Sequence, residues 1–342
     1  MSEAANRRQA TFVSAEEVAR LAGVSRSAVS RAFTPGASIS VETRQRVEAA
    51  AAQLGYHVNH LARGLMRHES GIVCLVVADI HTPYLSRLLD YLSRALQEAG
   101  KAVMVLNAGR ATKNVEAALR QTLNYRADAT IVLSGTPYRS IARQCLESGQ
   151  RLILINRDDH FEQTVGISVD HAKAAQTAAM LIRRGGYRRP ALVSSGIGTP
   201  SLNARRDHFL EALRMADLTA QVWEGGPTAY QSGFQAGTEL MTLPEPPDAV
   251  FAVTDLLACG VMDAVRQRFN KRVPDDIGVI GFDDIDQASW SSYDLTTFSQ
   301  PVEAITAYTV RMVEQKSAEI QASSRTFEAP LIWRSSLRAT LP

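Results

Sequence analysis

From residue 71 onward, short continuous apolar runs recur between longer stretches in which apolar positions return every three or four residues. The runs are GIVCLVVAD, AVMVLN, ATIVLS, RLILIN, PALVSS, AVFAVTD and IGVIGFDD, and they do not alternate apolar with polar residues. Continuous hydrophobicity marks strands covered on both faces, as in parallel sheets. Segments such as PYLSRLLDYLSRALQEAG and DLLACGVMDAVRQRF lie between them with helical periodicity. The pattern predicts an α/β fold with right-handed crossovers. Roughly 270 residues exceed one comfortable core, so two similar lobes are expected.

Before residue 70 the pattern is helical only. In SAEEVARLAGVSRSAVSRAF, Ser14 is placed to cap a first helix, and Glu17 to bond back to the cap. Val18, Leu21 and Ala22 then fall on one inward face, Gly23 supplies a left-handed stop, and Ser25 caps a second helix. Val29 and Phe33 turn that helix into the same small core and leave Arg26, Ser27, Ser30 and Arg31 outside. A short helix with a polar, basic N-terminal face suits the major groove of DNA, although an ordinary helical hairpin has the same caps. A third helix follows at VETRQRVEAAAAQL, capped by Ser40, stopped by Gly55, and apolar at Val47, Ala50, Ala51 and Leu54.

The connection TPGAS must run over the surface. Thr34, Ser38, Ser40 and Thr43 around it suit phosphate contacts and equally suit a solvated loop. In NHLARGLMRHES, Asn59 can cap a short helix that carries Leu61 and Leu65 on one face. Gly64 weakens such a helix by about 1 kcal/mol relative to Ala, so it needs support to form. The segment is either an interdomain linker or a hinge that folds on DNA and drives Leu65 between base pairs in the minor groove.

Composition sharpens the division. The 342 residues carry 45% hydrophobic and 21% charged side chains, ordinary for a globular protein. Residues 1–70 hold nine Arg/Lys against six Asp/Glu, net +3, whereas the remainder holds 28 against 29, net −1. A basic head on a near-neutral body fits a module for polyanions. MSEAANRRQATFVS lacks the apolar run of a secretory signal, and no stretch is long enough to span a membrane. Cys74, Cys145 and Cys259 lie apart in apolar segments and read as reduced core thiols, so a cytoplasmic location is expected.

In parallel α/β sheets, ligands bind beyond the carboxyl ends of the strands. Here those ends carry residues 79–84, 134–136, 156–158, Thr254-Asp255 and Asp283-Asp284, rich in carboxylates, hydroxyls and arginine. Such groups form bidentate bonds to vicinal hydroxyls or carboxylates, and Tyr84 can stack on a ring. Asp255 alone can simply cap its helix. No G-x-G-x-x-G follows the first strand, and no Walker loop, G-x-S-x-G elbow or metal-spaced His/Cys set occurs. An α/β enzyme acting on a small polar metabolite is therefore the alternative to a ligand-controlled DNA-binding protein. No cofactor or metal is called for.

The run EVARLAGVSRSAVSRAF…SISVETRQRVEAAAAQLGYHVNHLARGL resembles the headpiece and hinge of the lactose-repressor (LacI/GalR) family of bacterial transcription regulators. Farther on, DIHTPYLSRLLDYLSRALQEAG, LINRDD, NARRDHFLEAL, FAVTDLLACGVMDAV, VPDDIGVIGFDDID and LTTFSQPVE are similar to that family's periplasmic-binding-protein-like sensor. The resemblance implies that Arg26, Ser27 and Arg31 read base edges. It places Ser25, Ser30, Ser40, Thr43 and Tyr56 against the DNA backbone, Asn59 and Ala62 in the hinge, and Leu65 as the intercalating leucine. Thr82, Tyr84, Arg157, Ser201, Arg205, Thr254 and Asp283 are implied as effector contacts, with Tyr230 as a further aromatic candidate. Thr34 stands where an asparagine is common, and Thr254-Asp255 replaces the usual Asn-Asp.

The implied organisation is an all-α helix-turn-helix headpiece at 1–58, a hinge at 59–69, and a two-lobed effector-binding and dimerisation domain at 70–342. Lobe 1 is expected at about 70–158 and 300–325, and lobe 2 at about 159–299 and 326–342. SQPVEAITAYTVRMVEQ is expected to return to the first lobe and FEAPLIWRSSL to the second. No heptad-patterned tail precedes Pro342, so a homodimer on a pseudo-palindromic double-stranded operator is expected. Its effector would be a small molecule, by family preference a sugar or sugar derivative.

Overall fold

Ser14 and Glu17 open the first helix reciprocally. The Ser14 hydroxyl accepts the Glu17 N–H at 3.3 Å, and the Glu17 carboxylate takes the Ser14 N–H at 2.7 Å. This bond to Ser14 holds the Glu17 carboxyl below its ordinary range. The structure is a computed structural model and describes residues 13–34, 36–57, 70–109, 112–134, 137–157, 163–315 and 323–339. The chain forms two compact units, residues 1–70 and 71–342.

In the first unit, α1 (Ala15–Ala22), α2 (Arg26–Ala32) and α3 (Val41–Leu54) enclose fully buried Val18, Val29 and Val47. Ala22, Ala32, Ala50 and Ala51 let the helices approach closely. Gly23 (φ 64°) and Gly55 (φ 65°) provide the left-handed stops, and Ser25 and Ser40 cap α2 and α3. Leu21, expected inside, is 47% exposed, and Ala19 takes the inward place. Leu21 lies about 60° to one side of Val18 around the helix, whereas Ala22 and Ala19 lie about 40° and 100° to the other. The core is on the latter side. Arg44 donates to the Ala32 carbonyl, and Arg46 donates to those of Ala22 (2.6 Å) and Gly23 (3.2 Å). One helix thereby satisfies the carbonyls left open at the ends of the other two.

The second unit holds two six-stranded sheets. The first contains β1 (Ile72–Val77), β2 (Ala102–Asn107), β3 (Ala129–Val132), β4 (Arg151–Ile155), β5 (Val165–Val169) and β11 (Ser323–Phe327), in the order β11-β5-β4-β3-β1-β2. The second contains β6 (Pro190–Ser194), β7 (Gln221–Glu224), β8 (Ala249–Ala252), β9 (Gly278–Asp283), β10 (Thr296–Ser299) and β12 (Leu331–Ile332), in the order β12-β10-β9-β8-β6-β7. All pairings are parallel except β10–β12. The sheets alternate with α4 (Pro83–Glu98), α5 (Thr112–Asn124), α6 (Arg139–Glu147), α7 (His171–Arg184), α8 (Pro200–Met215), α9 (Tyr230–Met241), α10 (Asp255–Phe269) and α11 (Val302–Glu314). The central strands β1, β3, β6, β8 and β9 are buried throughout, as their continuous apolar runs require. AVMVLN departs from that expectation: β2 is an edge strand and leaves Val105 exposed.

Lobe boundaries follow the sheet hydrogen bonds. Residues 165–169, expected in the second lobe, form β5 and pair with β4 through Ile153↔Val165 and Leu154↔Gly166. Phe327, expected in the second lobe with the segment it begins, closes β11 opposite Val169 in the first sheet. Among the described residues, the chain crosses between lobes after Val169, after Ser299 and after Phe327. The Asp170 N–H donates to the Phe327 carbonyl at 2.8 Å, so two of these crossings are tied together. Helix α11 returns to pack on α4 of the first lobe. Cys74, Cys145 and Cys259 are free and buried, and burial pushes the Cys74 and Cys145 thiols up to about 11. Among the described residues, no helix is long and apolar enough to cross a membrane.

Candidate functional site

Helix α2 turns Ala28, Val29 and Ala32 into the head's core and leaves Arg26, Ser27, Ser30 and Arg31 exposed. These four lie within about 140° of arc, so they form one polar face. Neither arginine makes an ion pair among the described residues, which leaves both cations available for a polyanion. Ser25 accepts the Ala28 N–H at 3.2 Å and bonds the Ser27 hydroxyl at 2.8 Å. The Arg31 Nε reaches back to the Ser27 carbonyl at 3.4 Å. Ser40 and Thr43 share a 2.7 Å hydroxyl contact at the start of α3, and the half-buried Tyr56 ring lies 5.8 Å from Phe33. Asn59, Ala62 and Leu65 lie outside the described residues.

In the second unit, a cleft of about 160 Å³ opens between the lobes beyond the carboxyl ends of the strands. Both sheets reverse their strand order there, between β1 and β3 and between β6 and β8, the topological position at which such sheets bind ligands. Thr82, Tyr84, Arg157, Ser201, Arg205, Thr254 and Asp283 all line it. So do Asp79, Ser134 and Asn156, which share their strand ends. Gln300 and Thr228 also line it and were not anticipated. Gln300 directly follows β10, a position whose strand-end signal was available. Tyr230 does not join them. Its hydroxyl donates to Asp263 Oδ2 on α10 at 2.7 Å, a carboxylate that Tyr293 shares at 2.9 Å. Asp255 is fully buried beneath the cleft rather than in its lining.

Arg205 and Asp283 form the electrostatic centre, 3% and 4% exposed. Arg205 Nη1 donates to Asp283 Oδ1 at 3.1 Å and to the Val253 carbonyl at 2.8 Å. Its guanidinium lies 3.7 Å from the Phe282 ring centroid. Gln300 Nε2 donates to the same Asp283 oxygen at 2.6 Å. Burial pushes the Asp283 carboxyl above its ordinary range, against the opposing pull of Arg205 and Gln300. Behind it, Asp255 accepts the Ile285 N–H at 2.9 Å and the Thr297 hydroxyl at 2.5 Å. Burial, and then the nearby Asp283 charge, push this carboxyl up to about 7. Asp255 is therefore no helix cap: it ties α10 to the ends of β9 and β10.

Two properties mark this cleft as a binding site. Asn156 (φ 61°), Asp283 (φ 122°) and Asp284 (φ 51°) hold positive φ at the ends of β4 and β9. Such strain costs on the order of 1–3 kcal/mol per residue and persists where the surroundings enforce it. Buried polar atoms are also left unsatisfied: Arg205 Nε, Thr254 Oγ1 and Gln300 Oε1 have no hydrogen-bond partner among the described residues. Each costs about 1–3 kcal/mol unless something polar meets it. The Tyr84 hydroxyl is already engaged by Asn156 at 3.2 Å, and burial pushes its phenol well up. Among the described residues, no group of His, Cys, Asp and Glu has the arrangement to hold a metal ion.

A helix-turn-helix head with a two-lobed ligand-binding body is the architecture of ligand-controlled transcription regulators. Residues 15–59 match the bacterial regulatory proteins of the lacI family, and residues 178–337 match a periplasmic binding protein-like domain. The ribose operon repressor of Bacillus subtilis is 30% identical over 286 residues, 84% of this chain and 86% of that protein. The HTH-type transcriptional repressor CytR of Escherichia coli is 26% identical over 97% of this chain and 98% of its own. Among solved structures, the lac repressor dimer bound to operator and the anti-inducer ONPF shares the fold at TM-score 0.86. It is 22% identical and covers 95% of this chain and 99% of its own. The complex of the transcriptional regulator CelR with cellobiose has TM-score 0.69 and 26% identity, covering 95% and 99%. The chain belongs to the lacI family of bacterial regulatory proteins and is a DNA-binding transcription regulator.

Proposed function

We propose that this protein is a repressor whose operator affinity is set by a sugar or sugar derivative held between its lobes. The observation that carries the effector half is the unsatisfied trio Arg205 Nε, Thr254 Oγ1 and Gln300 Oε1 beside the Arg205–Asp283 pair. Fixed donors and acceptors with no partner suit a compact polyhydroxylated ligand, whose hydroxyl groups each donate and accept. The cellobiose complex of the CelR regulator supports that chemistry by likeness. The protein acts by binding rather than by catalysis, as a cytoplasmic homodimer on a pseudo-palindrome. The operator-bound dimer of the lac repressor supports that assembly.

On DNA, α2 enters the major groove. Arg26, Ser27 and Arg31 read base edges, while Ser25, Ser30, Ser40, Thr43 and Tyr56 hold the backbone. Asn59, Ala62 and Leu65 continue into the minor groove as a hinge. The effector acts by binding one arrangement of the lobes more tightly than the other, since only differential affinity shifts an equilibrium.

Selection from a random duplex library with the full chain should return a pseudo-palindrome, with affinity falling as salt rises. Arg26→Ala should change the preferred base at one position per half-site, because an arginine–guanine pair contributes about 1–3 kcal/mol of discrimination. Thr43→Ala should weaken all sequences alike. An unchanged motif for Arg26→Ala would remove it from the reading face. Calorimetry with pentoses, hexoses and disaccharides tests the effector. No heat from any of them, with operator binding indifferent to all, would overturn the sugar assignment.

A further inference from the structure

Arg87 lies on α4 of the first lobe, yet its guanidinium is bound to the second. Nη1 donates to the Asp284 carbonyl at 2.7 Å and Nη2 to the Asp283 carbonyl at 3.1 Å. Its Nε is buried without a hydrogen-bond partner among the described residues, so the fork is committed to these two oxygens. Both acceptors belong to the positive-φ pair that ends β9, and one of them carries the carboxylate bound by Arg205 and Gln300. The contact joins residues almost two hundred positions apart and links the two lobes.

We propose that Arg87 is a positioning residue for the effector cleft and the latch between its lobes. This rests on the effector reading above. A bidentate guanidinium fixes both direction and distance, so it sets the orientation of the Asp283–Asp284 turn and thereby of the Asp283 carboxylate. Any widening of the gap between α4 and the Asp283–Asp284 turn breaks these bonds. An effector that bonds Asp283 acts on the peptide segment the latch grips, and occupancy is converted into lobe spacing. Lobe spacing in turn reaches DNA through α4 and the strand before it, β1, which is the first element after residues 59–69. Backbone carbonyls of one lobe and the Arg87 side chain of the other thus take part in the ligand response.

The test uses the full chain, spin-labelled at Gln144→Cys in the first lobe and Thr219→Cys in the second, both exposed, and diluted with unlabelled protein. Without any sugar, Arg87→Ala should give a longer and broader interlobe distance than the parent. It should also change affinity for the duplex selected by the parent by about fivefold or more, the range of allosteric couplings. Arg87→Lys, which can reach one carbonyl at a time, should lie between, and Arg87→Gln serves if the alanine variant fails to fold. A parental distance distribution in Arg87→Ala or Arg87→Gln would overturn the latch. A changed distance with operator affinity within about twofold would overturn its coupling to DNA. If the parent selected no duplex, the regulator reading would fail, while the distance measurement would still decide whether Arg87 holds the lobes together.

Discussion

The head and the cleft deploy arginines in opposite ways. Arg26 and Arg31 are exposed on one short helix, make no ion pair among the described residues, and contribute nothing to the head's core. Arg205 is buried, paired with Asp283, bonded to a backbone carbonyl and stacked on Phe282. In the head, function-bearing side chains are separable from the fold, because the target supplies the missing charge on arrival. In the cleft they are part of the fold, because a buried charge without its partner is costly before any ligand binds.

That contrast fails most visibly if Arg205 proves dispensable. Arg205→Ala strands the Asp283 carboxylate and should destabilise the second unit by about 3–5 kcal/mol in chemical denaturation, besides abolishing the sugar response. Arg26→Ala should change the head's stability by no more than about 0.5 kcal/mol. Equal effects would erase the distinction between the two sites.

Asp255 sharpens the comparison through pH. Its carboxyl is pushed up to about 7 in the folded chain, against about 3.9 unfolded. Above pH 4 the unfolded state sheds a proton that the folded state keeps, so this group's contribution declines as pH rises to about 7. The slope approaches about 1.4 kcal/mol per pH unit. Asp255→Asn removes the titration, and its stability relative to the parent should therefore improve from pH 4 to pH 7. A difference that is flat across this window would mean the carboxyl is ionised as ordinarily as a surface residue. The smallest effect tests the head's packing. Leu21→Ala should cost at most about 0.5 kcal/mol by hydrogen exchange of the α1 amides, whereas Val29→Ala should cost about 2 kcal/mol. A larger loss at Leu21 would return it to the core.

What could be read along the chain tracks the distance over which each interaction acts. Ser14 with Glu17, the Gly23 and Gly55 stops, and the Ser25 and Ser40 caps all act within four residues, and each was placed from the sequence. The continuous apolar runs named β1, β3, β4, β6, β8 and β9 because burial on both faces leaves that trace in composition, whereas the interior strands β5 and β10 were not among them. Seven of the eight implied effector contacts line the cleft, since strand ends deliver their next residues to one edge of a parallel sheet. The exception, Tyr230, is drawn to Asp263, thirty-three residues away, and nothing near either residue announces that partnership.

By itself, then, the sequence determined the helical head, the exposed polar face of its second helix, the two α/β lobes and most of the cleft's polar lining. Only the tertiary structure decided that β5 belongs to the first sheet, that Asp255 lies beneath the cleft, and that Arg87 bridges the lobes. Caps, turns and buried strands are fixed by neighbours along the chain, whose identities are visible together. Sheet membership and interlobe bonds are fixed by backbone groups tens to hundreds of residues apart. Every residue carries the same carbonyl, so the sequence holds no mark of which two Arg87 will find.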